Sequence, residues 1–188
     1  FINASGVTLT TGSPLLNGGS LDAYRVQQGA ITIDGGGLDT RGTDYTNILA
    51  RAVQVNAGIW ATNLRVTTGA NQIAADPLGA ATPIAGSGAA PGFALDVGQL
   101  GGMYANKIFL VGTEAGLGMR NSGFIGASAG EVVLNNNGWL SNSGQIQATG
   151  DAQIQTVGSL SNTGTMYAHA QTSLSTQGSI SNTGLIAA

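Results

Sequence analysis

The sequence predicts an all-β protein that folds as a parallel β-helix, a solenoid of rungs about 20 residues long with an extruded loop or hairpin. Three observations predict this fold. Similar units follow one another at a 20-residue spacing from Gly138 to Ala188. A signature of Ile or Met, any residue and Ala recurs upstream of them, as at Ile59 and Met103. Apolar and polar residues alternate around it with the period of two that is typical of strands.

The composition of the 188-residue chain excludes several classes of function. Charged residues make up 8% and the formal net charge is −3, so we expect no nucleic-acid partner and no anionic lipid surface. The absence of cysteine excludes a disulfide scaffold and a thiolate metal site. No apolar run approaches the length of a membrane-spanning helix, so we expect no membrane insertion.

The front half of the chain carries the same pattern less regularly. Thr8 to Thr10 and Ile31 to Ile33 predict early strands. The segments that begin at Gly58 and Gly102 are alike and lie 44 residues apart, which is close to two units with an insertion. Counted in this way, Trp60 and Tyr104 fall in rungs that are not adjacent.

The insertion spans residues 68–93 and is rich in alanine, glycine and proline. It holds Pro77, Pro83 and Pro91, and proline is rare inside a sheet. We therefore interpret it as a loop or a short hairpin extruded from one turn of the helix.

The regular repeats predict columns of identical or similar side chains, because each rung of a parallel solenoid lies directly on the last. The inward apolar columns are Leu140, Leu160 and Ile180, then Ile146, Met166 and Ile186, and then Ile154 and Leu174. Asn142, Asn162 and Asn182 are expected to stack at a corner and to hydrogen-bond the turns above and below. Gly144, Gly164 and Gly184 follow at the tight bend.

The strongest candidate for catalysis is a pair of carboxylates, Glu131 and Asp151, that stand one repeat apart. Two carboxylates so close could serve as an acid/base pair. Both directly follow glycines, however, and at an exposed turn water would screen their repulsion, so two solvated surface residues are the favoured interpretation.

Other chemistry-bearing residues give weaker signals. His169 is the one histidine, and the equivalent position of the preceding unit is Thr149, so a variable surface residue is favoured over a general base. The run from Gly112 to Gly118 lacks the lysine and the helix of a phosphate-binding loop. We therefore expect no catalytic residue, no metal site and no cofactor.

Three aromatic residues, Trp60, Tyr104 and Tyr167, occupy the outward position of the signature. Exposed aromatic rings in register could bind sugar rings or the edge of a partner. The rung count given above argues against a continuous aromatic surface.

Three strings carry a resemblance to a known family. They are FINASGVTLTTG from Phe1, GQLGGMYANKIFLVGTEAGLGMRNSGFIGA from Gly98, and the GSLSNTG-type repeats. They resemble the amino-terminal secretion domain of two-partner secretion exoproteins, above all the filamentous haemagglutinin and contact-dependent growth inhibition proteins. On this resemblance residues 1–137 are the carboxy-terminal part of the two-partner secretion (haemagglutination activity) domain. Residues 138–188 are filamentous-haemagglutinin-type repeats that continue the same helix.

The resemblance implies a right-handed parallel β-helix, exported through the periplasm to the surface of a Gram-negative bacterium. The periplasmic domains of an outer-membrane β-barrel transporter would recognise it, and it would template the folding of the shaft behind it. A target-cell receptor would be bound by regions downstream of Ala188. The family's Asn-Pro motifs lie upstream of the segment that matches Phe1, so the residues that contact the transporter are unknown.

The alternative function is a β-helical protein that binds or cleaves polysaccharide. An enzyme of that kind should concentrate charged and aromatic residues on a few adjacent rungs, and here they are scattered along the chain. The sequence therefore favours a non-enzymatic secretion and scaffold domain, which we expect to be monomeric, of a large adhesin or growth-inhibition toxin.

Overall fold

Three parallel β-sheets of seven strands each wind the chain into a solenoid. The computed structural model describes residues 4–75 and 79–188, so predictions that involve Phe1 or Pro77 lie outside the described residues. Within those two ranges there is no helix. The prediction of an all-β parallel solenoid is confirmed.

The strands are short, because the chain must turn to the next sheet after a few residues. In chain order they are β1 (Gly6–Thr10), β2 (Ser13–Asn17), β3 (Ser20–Val26), β4 (Ala30–Ile33), β5 (Leu38–Asp39), β6 (Tyr45–Ala50), β7 (Ala52–Val55), β8 (Gly58–Trp60), β9 (Asn63–Thr68), β10 (Asn71–Ala74), β11 (Ala81–Pro83), β12 (Leu95–Val97), β13 (Gly102–Ala105), β14 (Lys107–Gly112), β15 (Met119–Asn121), β16 (Phe124–Ala127), β17 (Val132–Asn136), β18 (Leu140–Asn142), β19 (Gln145–Ala148), β20 (Ala152–Thr156), β21 (Leu160–Asn162), β22 (Thr165–Ala168), β23 (Thr172–Thr176), β24 (Ile180–Asn182) and β25 (Leu185–Ala187).

Each rung contributes one strand to each sheet, always in the same order. The first sheet contains β1, β6, β9, β14, β17, β20 and β23; the second contains β4, β7, β12, β15, β18, β21 and β24; the third contains β5, β8, β13, β16, β19, β22 and β25. Seven rungs therefore stack in parallel along one axis.

One continuous apolar core runs along that axis between the three sheets. Its largest fully buried side chains are Ile48, Ile59, Leu64, Leu95, Met103, Ile108, Leu110, Met119, Ile125, Leu134, Leu140 and Ile146. Burial of each such side chain is worth about 2 kcal/mol, and the alternation along every strand places these side chains inward.

The insertion does not add a rung, so the rung count from the sequence is wrong. Met103 pairs directly with Ile59, and Tyr104 pairs with Trp60. The 44-residue step is thus one rung plus an excursion, because the chain leaves the solenoid after β9 and rejoins it at β12. Within the excursion β10 and β11 pair in antiparallel fashion, which is the hairpin form of the predicted extrusion.

A second excursion, which the sequence analysis did not predict, leaves the first rung at the same corner. There β2 and β3 form an antiparallel hairpin, and β3 pairs with β10. The resulting four-stranded sheet has the order β11-β10-β3-β2. Its side chains Val26 and Ile73 pack with Leu49 of the first sheet in a small second core, so the two excursions cover the outer face of the early rungs.

Candidate functional site

The regular rungs toward the carboxyl-terminal end of the described chain are the candidate functional site, because they repeat one stacking geometry on which further rungs could be added. In the second sheet, Ile180 pairs above Leu160, which pairs above Leu140. Leu140 and Leu160 are 2% and 0% exposed, whereas Ile180 is 49% exposed. Leu185 of the same rung is 53% exposed, but it lies on the outward face, where its counterpart Gln145 is exposed as well. An unpaired strand edge with apolar side chains is able to accept a further strand.

A ladder of asparagines leads up to this end through the second sheet. The Nδ2 atom of each donates to the Oδ1 atom of the next at 2.7 Å, in the order Asn121, Asn142, Asn162 and Asn182. Asn121, Asn142 and Asn162 are buried, so the ladder crosses the interior and not the surface of the solenoid. The structure thus brings together the three asparagines named from the sequence.

Asn121 belongs to the ladder but was missed by the sequence analysis, because its spacing to Asn142 is 21 residues and not 20. A signal was present. Asn121 is followed by serine and glycine, as Asn142 is.

The second predicted column lies on the inner side of the third sheet. Ile146 pairs with Met166, and Met166 pairs with Ile186. Ile146 and Met166 are fully buried, and Ile186 in the last rung is partly buried and packs against the core. Both columns therefore end at the last described rung.

The glycines that follow the ladder asparagines are not required by the backbone conformation of a tight bend, as the sequence analysis expected. Gly144, Gly164 and Gly184 do not have positive φ angles. A Cβ atom on Gly164 would collide with the carbonyl oxygen of Gly144, and one on Gly184 with that of Gly164. Glycine is required here because successive rungs approach closely at the corner.

The candidate carboxylates lie on adjacent rungs, directly before strands β17 and β20 of the first sheet. Val132, directly after Glu131, donates its backbone N–H to the carbonyl oxygen of Asp151 at 3.0 Å. The Glu131 Oε1 atom lies 4.0 Å from the Nζ atom of Lys107. Lys107 belongs to the preceding rung, and the sequence analysis did not predict this neighbour. The Glu131 side chain is one-third exposed and His169 is exposed, as the surface interpretation expects.

A buried ion pair that the sequence analysis missed fixes the insertion to the solenoid. Arg51 donates to Glu114 through Nε at 3.0 Å and through Nη2 at 2.7 Å. Through Nη1 it donates to the carbonyl oxygens of Ser87 and Ala89, where the insertion returns toward the solenoid. Glu114 also accepts the N–H of Ala70, where the insertion departs.

The electrostatics of this pair follow from its burial. The Arg51 side chain is 7% exposed and the Glu114 side chain 20%. The hydrogen bonds from Arg51 lower the pKa of Glu114 below its usual 4.5, although burial works in the opposite direction. Both groups therefore stay charged at neutral pH, and their separation of 63 residues in the chain explains why no local pattern reveals them.

Three aromatic rings stack on successive rungs of the third sheet. The Trp60 and Tyr104 centroids are 6.0 Å apart with planes 10° from parallel, and those of Tyr104 and Phe124 are 5.2 Å apart at 20°. Phe124 continues the stack because its ring lies over Gly126, the register partner of Tyr104. Tyr167 lies two rungs beyond Gly126. The aromatic surface is thus more continuous than the sequence indicated. A sugar ring binds by stacking on the face of an aromatic ring, and in this stack the rings cover one another's faces, so the arrangement does not favour sugar binding.

Metal centres and membrane-spanning helices are two further classes of site. Among the residues that the structure describes, no group of three or more His, Cys, Asp or Glu side chains could hold a metal ion. In the same residues there is no helix with the length and apolarity to cross a bilayer.

Comparison with known proteins gives one consistent result. The family model described as TPS secretion domain matches residues 1–142. Toxin CdiA of Yersinia pestis is 51% identical over 156 residues, which are 83% of this chain and 5% of that protein. The tRNA nuclease CdiA-2 of Burkholderia pseudomallei (strain 1026b) is 50% identical over 149 residues, 79% of this chain and 5% of that protein. The chain therefore spans about one-twentieth of the length of these curated relatives.

A solved structure extends the match to the whole fold. The crystal structure of the filamentous hemagglutinin secretion domain superposes with a TM-score of 0.74 at 28% sequence identity. The superposition covers 99% of this chain and 61% of the other chain.

Proposed function

We propose, because this chain belongs to the TPS secretion domain family, that it directs the export of a much larger protein and supplies the first rungs of that protein's β-helix. The protein would pass through the periplasm and across the outer membrane of a Gram-negative bacterium. A dedicated outer-membrane transporter, the second partner of the system, would recognise the domain during export. The role is that of a secretion signal and scaffold, not of a catalyst.

The observation that carries this proposal is the stacking of successive rungs in one unbroken register, as in β17, β20 and β23. Ile180 is 49% exposed and Ile186 is partly buried, whereas their counterparts Leu160 and Met166 in the rung before are fully buried. A rung that arrives behind them would bury this surface and pair with β23, β24 and β25. Each rung would then prepare the edge for the next, which is the growth mode expected of a repeat solenoid.

Three finer assignments remain proposals. We place the boundary between the secretion domain and the repeats of the shaft at residues 137 and 138, since from Gly138 onward the units keep a 20-residue spacing. Binding of a target-cell receptor, and any nuclease activity of the kind named for the relatives, belongs to regions outside these 188 residues. The domain itself acts as a monomer, which sedimentation velocity would test.

Export of the full-length protein with its transporter tests the proposal. Ile146 is fully buried in the core, so Ile146→Asp places an unpaired charge there at a cost of several kcal/mol. We expect this variant to reach the cell surface in greatly reduced amount. The double variant Glu131→Gln, Asp151→Gln should be exported at the normal level, because both groups lie at the surface of the solenoid.

Two results would contradict the proposal. Normal export of Ile146→Asp would mean that export does not draw on formation of the core. Loss of a polysaccharide-cleaving activity in the double variant, with export intact, would favour the alternative function of a β-helical enzyme.

A further inference from the structure

The returning part of the insertion, residues 84–93, runs along the outside of the corner between the first and second sheets, and we call it the strap. It connects β11 with β12 and therefore belongs to the third rung. It contains no strand, and most of its residues are exposed. Because it buries little apolar surface of its own, individual polar and aromatic contacts must hold it in place.

The strap contacts the corners of both rungs that precede its own. Ser87 donates its backbone N–H to the carbonyl oxygen of Gln27 at 2.9 Å, and Gln27 Nε2 donates to the carbonyl oxygen of Ala85 at 3.3 Å. Gln27 stands shortly before β4 of the first rung. The carbonyl oxygens of Ser87 and Ala89 accept from Arg51, which lies between β6 and β7 of the second rung.

The other end of the strap contacts the two rungs that follow. The guanidinium of Arg120, in β15 of the fourth rung, lies over the Phe93 ring with Cζ 4.2 Å from the ring centroid. Phe93 also meets Trp139, directly before β18 of the fifth rung, edge to face with 5.8 Å between the centroids. Contacts of both kinds are attractive beyond the burial of area.

Arg51 is the point at which the strap is fastened. Its guanidinium lies against Gly86 of the strap, where a Cβ atom would collide with Nη2. The Arg51 side chain is 7% exposed, and its counter-ion Glu114 belongs to the fourth rung. Lifting the strap removes two carbonyl acceptors from a buried charge, and opening the fourth rung removes the counter-ion. Since either loss is unfavourable, the two openings are coupled.

Contacts of this reach are unusual in a solenoid. Each rung of a repeat solenoid ordinarily contacts only its neighbours, so its stability is a sum of nearest-neighbour terms and rungs can open one at a time. The strap is different, because one segment of the third rung contacts the first, second, fourth and fifth. In the part of the chain that the structure describes, these hydrogen bonds and ring contacts do not extend to the sixth and seventh rungs.

We propose that the strap makes the first five rungs one cooperative block, fastened by Arg51, which opens as a unit while the sixth rung opens separately. The block would stay closed while the regular rungs behind it open and close. The inference goes beyond the proposed function, because it concerns how the folded chain opens and does not depend on export.

Native-state hydrogen exchange of the 188-residue chain in increasing urea tests the inference. Gly86→Ala places a methyl group against the guanidinium of Arg51 and removes neither a charge nor a core side chain. Gly92→Ala is the matched control, because Gly92 lies in the same strap and a Cβ atom there would meet nothing within 4 Å. Neither glycine has a positive φ angle, so alanine adds no backbone strain at either position.

The strands to compare are those of the second sheet, namely β4, β7, β12, β15 and β18 in the first five rungs and β21 in the sixth. In the native protein we expect the first five to share one free energy of opening, larger than that of β21. Gly86→Ala should raise exchange in all five by the same factor, about tenfold or more, because it overpacks the fastening. Exchange in β21 should not change, and Gly92→Ala should not raise exchange in any of the six.

Two patterns of exchange would overturn the inference. Faster exchange confined to β7 and β12, which flank the strap, would make the contact a local one. An equal increase that includes β21 would show that the solenoid opens as a whole. If the Arg51 side chain moves aside and Gly86→Ala has no effect, Arg51→Gln removes the fastening itself, and unchanged exchange in that variant would overturn the inference as well.

Discussion

The Arg51 guanidinium is a charge enclosed within the structure and held by one carboxylate and two backbone carbonyls. Replacing Glu114 by glutamine leaves that charge buried without its counter-ion, which typically costs about 3–5 kcal/mol. We expect Glu114→Gln to lower the free energy of unfolding by about this amount in urea titrations. Glu131→Gln is the matched control, because its partner Lys107 is half exposed and such pairs contribute at most about 1 kcal/mol.

The same pair predicts a dependence of stability on pH. The pKa of Glu114 is lower in the folded protein than in the unfolded chain, so its contribution is complete above pH 4.5 and is lost as the pH falls through the folded value. We expect the stability difference between the native protein and Glu114→Gln to shrink on acidification. Asp39, whose pKa Arg41 lowers to about 2, is present in both proteins and cancels in the comparison. A difference that stays constant down to pH 2 would contradict the assignment.

At the scale of the sheets, the aromatic stack joins three rungs on the outside of the solenoid. Tyr104 contacts rings on both sides, and each such contact contributes about 0.5–1.5 kcal/mol beyond the burial of area. We expect Tyr104→Ala to destabilise the protein by about 1–2 kcal/mol more than Tyr167→Ala. The two tyrosines are matched in exposure, at 41% and 38%, and occupy equivalent positions of the signature. Equal losses in thermal unfolding would show that the stack adds nothing.

The sequence revealed the strands and columns of the regular rungs because parallel stacking repeats the same environment at the same offset. The Leu140 and Ile146 columns and three of the four ladder asparagines could be read in this way. Asn121 could not, because its rung is one residue longer than those that follow.

Features that depend on contacts between distant segments of the chain could not be predicted from the sequence. The 44-residue step fitted two rungs as well as one rung with an excursion, and only the pairing of Tyr104 with Trp60 decides between them. The β2–β3 hairpin is recognisable as part of a sheet only through its partner β10, which lies far along the chain. The Arg51–Glu114 pair depends on the same long-range closure.

At the scale of the whole molecule, the two halves of the solenoid differ in what covers them. The early rungs carry the four-stranded sheet on their outer face, and the Arg51–Glu114 pair ties the insertion to them. The later rungs are nearly identical and carry no such covering sheet among the described residues. This asymmetry suits a scaffold whose early rungs are individually braced and whose later rungs repeat one unit.

Hydrogen exchange tests rung addition most directly when it compares the 188-residue chain with a lengthened chain in which a copy of residues 169–188 is joined after Ala188. In the 188-residue chain β23, β24 and β25 form the open rung, so we expect their amides to exchange faster than those of β20, β21 and β22. In the lengthened chain the account predicts that β23, β24 and β25 become as protected as the rung before them, while the new rung becomes the fast-exchanging one. Unchanged exchange in β23, β24 and β25 after lengthening would contradict the claim that this end accepts further rungs.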